Sequence, residues 1–486
     1  MSYLSIEFAT IFVLFFLLYW SLRPFVGLQN GLLLVSSYLV VGLFSLQFAI
    51  ILASYTVVIY LLSTAIHSSR KPKLWLAIAI IVGIGNLAVF KYYNFFAPTL
   101  SEQLSSFGFD FSFPIAEIIL PIGISFYTFH SISYLVSLSR KEIEPVNFFD
   151  FALFLSFFPS VIAGPINRAK DFLPQIQTRE HRDVLEPHRA FMLIILAIIK
   201  VYWVSALFSE ALVRPVFDNP SEFHTIELIL AIYAYAVEIY LNFSGYTDLV
   251  TGIALLLGFK LPINFNAPYL ATSLKQFWDK WHISLSTWIR DYIYFPLGGS
   301  RRGLTRAQIN VMIAMVLSGL WHGETLNFLI WGAIHGIGVV FLNLKDHLVK
   351  GRLVAQGLSD AEVKSYFKTE VAGWKVYLYR FLTFNYICLG WIFFRSESFD
   401  DSLVYLESLW HNLQFELFPA HSLGLLLGLI LLIFAVYPWL VKVPGWFVTW
   451  SQKIPWLLLP FLFIAILWGA IYMAPSGIPQ FIYASF

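Results

Sequence analysis

Cysteine and charge are what this chain has least of. A single cysteine, Cys388, occurs in 486 residues, which excludes an internal disulfide framework and any multi-cysteine metal site. Asp, Glu, Lys and Arg together make up 12% of the chain, about half the share of roughly 25% usual in soluble domains. That scarcity excludes an ordinary solvated globule. The net charge of +2, with Lys and Arg mostly in loops between apolar runs, also excludes the clustered basic face that a nucleic-acid partner needs. There is no HExxH or His-and-carboxylate pattern to hold zinc and no GxSxG elbow for serine hydrolysis. Internal repeats and low-complexity tracts are missing too.

What is abundant is apolar: 58% of residues are hydrophobic, including 48 Phe and 16 Trp. The chain therefore reads as an all-α, polytopic integral membrane protein. Its first run, 5–22, has no basic segment before it and no small-residue cleavage site after it, so it is expected to be a retained helix rather than a signal peptide. Further runs near the spanning length of about 20 residues fall at 31–45, 47–66, 74–90, 113–137, 190–209, 225–257, 325–344, 376–394, 423–441 and 456–473. Two segments are shorter or broken. Residues 151–166 are interrupted by Pro159, Gly164 and Pro165. Residues 308–321 would rise about 20 Å as a helix, short of a hydrocarbon core of about 30 Å. Both are expected to dip into the membrane beside a cavity. The whole is expected to hold about 11 crossing helices plus these re-entrant pieces.

Lys and Arg favour the cytoplasmic side of a membrane. With the N-terminus outside, Arg23, the group Arg70, Lys71 and Lys73, the pair Arg140 and Lys141, and the loops 168–189, 260–306 and 345–375 all fall inside. The loop 91–113 and the acidic stretch 397–416 fall outside. Residues 1–486 are expected to form one membrane domain, with N-terminal helices at 1–112, a motif-bearing core at 113–345 and C-terminal helices at 346–486.

Within that core, no Lys, Arg, Asp or Glu occurs from Ala307 to Gly323, and His322 is the strongly titratable group of the run. An ionisable group at membrane depth is a functional-site hypothesis by default. His322 follows Trp321 and precedes Gly323, where a helix breaks, near the turn of the pair made with 325–344. Taken as one helix, residues 277–293 gather Phe277, Trp278, Trp281, Leu285, Trp288, Ile289 and Tyr292 within an arc of about 120°. Such a helix is expected to lie along the cytoplasmic surface with one face in the bilayer or against the bundle. His282 then falls at the border of the stripe, facing an aqueous entrance.

Plainer readings stand beside these. An interfacial aromatic helix is usually an anchor, and a lone histidine such as His282 is more often a surface or core residue. Arg290 and Asp291 read equally well as a solvated charge pair. His335, in WGAIHG, sits among small residues that favour helix packing and is a third candidate. Near neutrality, histidine suits a general base that takes a proton from an acceptor hydroxyl while an acyl carbon is attacked.

The run FNAPYLATSLKQFWDKWHISLSTWIRDYIYFPLGGSRRG at 265–303, followed by LSGLWHG and WGAIHG, closely resembles the membrane-bound O-acyltransferase (MBOAT) family. PIGISFYTFHSISYL at 121–135 and SFFPSVIAGPINR at 156–168 look like the branch that acetylates bacterial extracellular polymers. That branch holds the alginate and peptidoglycan O-acetylation subunits, with the teichoic acid D-alanyl transfer protein as a relative. The resemblance implies a helical bundle around a central tunnel joining the two faces of a bacterial inner membrane. It implies no bound cofactor and no metal, acetyl-CoA as acyl donor from the cytoplasm, and membrane lipid as surroundings. It also implies a periplasmic or extracellular acetyltransferase partner that passes the acetyl group to a cell-envelope polysaccharide, with peptidoglycan favoured over alginate. His322 matches the family's near-invariant histidine, and His282 matches its second.

On that reading His322 is the general base and His282 positions the thioester or polarises its carbonyl. Asn266, Trp281, Arg290, Asp291, Ser318 and Trp321 are expected to line the entrance and tunnel. Two rivals come from other classes. One is a transporter of acyl donor or lipid-linked sugar, against which the missing inverted repeat counts. The other is a non-catalytic scaffold for a secreted transferase.

Overall fold

The computed structural model describes residues 3–108, 118–368, 371–412, 420–455 and 458–473. Among these every regular element is a helix. The start of the run expected at 113–137, residues 109–113 of the outside loop, residues 413–416 of the acidic stretch and the start of the run at 456–473 lie outside the described residues.

Among the described residues nine helices are long and apolar enough to cross a membrane: Val26–Phe44, Leu46–Ser68, Pro72–Pro98, Pro187–Asp218, Thr225–Leu256, Leu304–His322, Leu326–Ala355, Trp374–Arg395 and His421–Ser451. A shorter apolar helix runs over Glu7–Ser21. Leu14, Leu39, Leu61, Ile81 and Phe341 are each more than half exposed. An apolar outer surface of this kind is suited to lipid tails, where every backbone polar group must be satisfied inside its own helix. The chain is a multi-pass membrane protein, with nine spanning helices described where about eleven were expected.

The described chain divides into two compact units. The first holds residues up to Ile198 together with Gly245–Pro262. Its core is aromatic: Phe157 lies 4.9 Å from both Phe172 and Phe259, ring centre to ring centre. The broken segment at 151–166 is here, as the nine-residue helix Phe148–Ser156 and the four-residue helix Phe158–Val161. Nine residues rise about 14 Å, too little to cross. Asn147 starts the first of them by accepting the Asp150 N–H, 2.9 Å away.

The helix Ile124–Ser139 begins only after Gly123, at φ +78, so the run from 113 is not helical throughout. Glycine suits that point twice, because a Cβ there would also stand 2.7 Å from the Val161 carbonyl oxygen. The two outer motifs meet in this unit. His130 Nε2 accepts the Asn167 N–H at 3.1 Å, and Ser133 Oγ accepts the Ala169 N–H at 3.0 Å. His130 is thus a hydrogen-bonded core histidine.

The second unit holds Ile199–Ser244 and the described residues from Ile263 onward. Its centre is the helix pair Leu304–His322 and Leu326–Ala355. The first of these departs from expectation. It starts at Leu304, ahead of Arg306, and its 19 residues rise about 28 Å, close to the hydrocarbon thickness. A hydropathy run stops at the first charge, whereas a helix continues because a long side chain such as Arg306 extends toward the interface. The pair packs closely through small residues. A Cβ at Gly332 would stand 2.5 Å from the Met315 carbonyl oxygen, and one at Gly319 would fall inside van der Waals contact of the Phe328 carbonyl. The Trp374–Arg395 helix closes over the second member, with Gly390 against His335.

The single amphipathic helix expected over 277–293 is not formed. The segment runs as a short helix Leu274–Trp278, a turn, a second helix Ile283–Ile289 and a π-helical stretch Arg290–Tyr294. Its tryptophan face packs inside the protein, with Trp281 and Trp288 2% and 4% exposed. Periodicity found the buried side but missed the break, which is set by hydrogen bonds from outside the segment.

Candidate functional site

The break falls at His282. This residue has φ +42 and ψ 53, left-handed backbone that a non-glycine side chain rarely adopts. Such strain, about 1–3 kcal/mol, persists only where surrounding contacts hold it, and it gathers at functional sites. Those contacts come from Asn264, in the irregular stretch that precedes the segment. Its backbone carbonyl accepts the Ile283 N–H at 2.9 Å. Its Oδ1 accepts the Ser284 N–H at 3.3 Å and the Ser284 hydroxyl at 2.8 Å, and lies 3.0 Å from His282 Nδ1. Asn264 therefore caps the Ile283–Ile289 helix from a distance and seats the His282 ring. Burial, with His282 1% exposed, pushes the imidazole down to about 3. The ring is neutral at physiological pH.

His322 is the last residue of its helix and is 3% exposed. Aromatic rings surround it: Trp321 at 4.7 Å, Trp331 at 4.9 Å and Phe394 at 5.1 Å between ring centres. Trp321 also stands 5.9 Å from His282. One indole thus borders both histidines, and the fold brings the two sequence candidates together. On its other side His282 meets Phe243, edge to face at 4.7 Å. Trp281 packs on Phe265 at 5.2 Å and on Trp391 at 5.2 Å.

The remaining candidates divide. Ser318, one turn before His322, is 1% exposed, and its Oγ has no hydrogen-bond partner among the described residues. His335 is fully buried, 4.9 Å from Trp331, so Trp331 borders His335 as well as His322. Neither His335 ring nitrogen has a hydrogen-bond partner among the described residues. Asn266 is different. It is exposed, and its backbone N–H donates to the Lys280 carbonyl at 3.0 Å. The buried asparagine that reaches His282 is Asn264, two residues earlier, before the bend at Asn266. Arg290 and Asp291 bind each other at 2.9 Å, with the arginine side chain about half exposed, which fits the plain charge-pair reading.

Sequence reasoning also passed over Glu238. This carboxylate lies inside the apolar Thr225–Leu256 helix, 8% exposed. Its Oε2 has no hydrogen-bond partner among the described residues. Ser205, at the end of a π-helical turn, donates to the Glu238 backbone carbonyl at 3.3 Å. The signal was available, since a carboxylate in the middle of a spanning run is a functional-site hypothesis by default. Among the described residues no group of three or more His, Cys, Asp or Glu stands together so as to hold a metal ion.

The chain that builds this pair of buried imidazoles around one indole matches a known family. The family model described as MBOAT, membrane-bound O-acyltransferase, matches residues 32–352. The chain belongs to this family. Among similar MBOAT proteins, the Pseudomonas aeruginosa protein named "Probable alginate O-acetylase AlgI" is 36% identical over 378 residues, covering 76% of this chain and 67% of that one. The peptidoglycan O-acetyltransferase of Helicobacter pylori is 30% identical over 387 residues, covering 72% and 68%. A teichoic acid D-alanyltransferase of Streptococcus thermophilus is 26% identical over 301 residues, covering 60% and 69%. The expectations of an MBOAT chain, of an acyltransferase and of a helical multi-pass membrane protein are met, and a bacterial inner membrane is consistent with these relatives. The family match concerns the chain rather than single residues, so the roles of the two histidines rest on their own geometry.

Proposed function

We propose that this MBOAT enzyme moves an acetyl group from acetyl-CoA, taken up at the cytoplasmic face, to an extracytoplasmic partner protein that O-acetylates a cell-envelope polysaccharide. The observation that carries the reading is the meeting of His282 and His322 at Trp321. Relatives named for alginate and for peptidoglycan O-acetylation support the polysaccharide class. Basic loops at 260–306 and 345–375 support a cytoplasmic donor side.

In the proposed step, His322 takes the proton of the acceptor hydroxyl as its oxygen attacks the thioester carbon. The new C–O bond forms, the C–S bond breaks, and the proton passes to the leaving thiolate. His282 positions the thioester. Trp281, Trp321 and Ser318 bound the space in which the reaction occurs, excluding water that would hydrolyse the donor.

The test uses the purified full-length protein in proteoliposomes with labelled acetyl-CoA on one side and the hydroxyl-bearing partner on the other. Label bound covalently to the partner is expected, and His322→Ala, folded and inserted to the same extent, is expected to abolish it. Free labelled donor on the far side would instead support a transporter. Labelling by another acyl thioester but not by acetyl-CoA would overturn the donor assignment.

A further inference from the structure

The contacts of Asn264 determine which nitrogen of His282 carries hydrogen. A backbone N–H can only donate, so the Asn264 side-chain atom facing the Ser284 N–H at 3.3 Å must be the amide oxygen. The Ser284 hydroxyl at 2.8 Å meets the same atom. That oxygen can only accept, and it lies 3.0 Å from His282 Nδ1. The hydrogen of the neutral ring therefore sits on Nδ1, and Nε2 holds the lone pair. Asn264 is itself 2% exposed, so water does not compete freely for its oxygen.

We propose that Asn264 is a positioning residue that locks His282 in the Nδ1–H tautomer, so that Nε2 meets the substrate as a hydrogen-bond acceptor. This rests on the acyl-transfer reading, which places His282 beside the substrate. It narrows the role of His282. A ring nitrogen with a lone pair does not polarise a carbonyl oxygen, so the group it engages must carry hydrogen. With the single hydrogen of the acceptor hydroxyl taken by His322, the group available to His282 is an amide N–H of the thioester donor's arm. The left-handed backbone at His282 fits the same purpose, because it turns this residue out of the helix path and toward Asn264.

The experiment is nitrogen-15 NMR of the full-length protein in lipid nanodiscs with labelled histidine, His282 being assigned by difference against His282→Gln. The expected spectrum has a protonated Nδ1 and an unprotonated Nε2 near neutral pH, retained in Asn264→Asp, whose carboxylate also accepts. Asn264→Ala is expected to lose the preference and to lower the transfer rate about tenfold or more, the cost of leaving a buried donor unmatched. A rise in KM for the donor alone would support the donor amide as the partner of Nε2, and a fall in kcat with that KM unchanged would overturn this partner. Hydrogen on Nε2 in the wild-type spectrum would overturn the proposal, as would an Asn264→Ala protein with unchanged tautomer and rate. If Asn264→Ala does not fold, the wild-type and Asn264→Asp spectra decide. Absence of acetyl transfer to the partner by the wild-type protein would remove the acyl-transfer reading instead, leaving the tautomer assignment standing.

Discussion

His282 and His322 border the same indole, Trp321, at 5.9 and 4.7 Å between ring centres. One imidazole begins a short helix and the other ends a long one. Their common neighbour sets how a substrate between them would be held. Trp321→Phe is expected to keep folded protein but slow transfer by about tenfold, because a smaller ring loosens both imidazoles while leaving the pocket apolar. Steady-state transfer rates at equal amounts of inserted protein check this.

Close packing of the central helix pair makes a second expectation. Gly332→Ala places a Cβ 2.5 Å from the Met315 carbonyl oxygen and 3.1 Å from Val316 Cα, and backbone cannot move aside cheaply. A loss of about 1–3 kcal/mol is expected. Gly351, in the same helix, has nothing within 4 Å of its added Cβ, so Gly351→Ala should leave stability unchanged or raise it by about 0.5–1 kcal/mol. Thermal unfolding of the two variants in detergent compares them directly.

Acid should weaken the fold through His282. Its imidazole is pushed down to about 3 by burial, from an ordinary 6.5. Between those values the unfolded chain binds a proton that the folded chain does not, so stability is whole above the upper value and falls as pH drops. At pH near 5 the loss from this residue is about 2 kcal/mol. The measurement is the melting temperature in detergent from neutral pH downward. His282→Gln should show a shallower fall than the wild type, and parallel curves would contradict the expectation.

Glu238 offers a separation of stability from activity. Its Oε2 lies buried without a hydrogen-bond partner among the described residues, a state that costs about 1–3 kcal/mol. Glu238→Leu is therefore expected to melt no lower than the wild type and to transfer less acetyl, as when a fold gives up stability for a working group. Melting temperature and transfer rate, measured on the same preparation, test both halves. Full activity in a more stable variant would mean that the carboxylate has no part in transfer.

Sequence alone was enough for the solvent, the helical class and the choice of His322 as a candidate. Scarce charge and runs of spanning length leave a bilayer as the surrounding medium, and in a bilayer each backbone must satisfy itself as helix. His322 stood out because nothing else in its run titrates. The family followed from local motifs in the same way. Tertiary structure decided what periodicity does not carry. It replaced one amphipathic helix by two, placed Asn264 at His282 and brought Trp321 against both histidines. The reason is common to all three. Hydropathy and helical period describe each residue's own surroundings on average, whereas a hydrogen bond from Asn264 or an indole face from Trp321 is fixed by chain that lies far away in sequence.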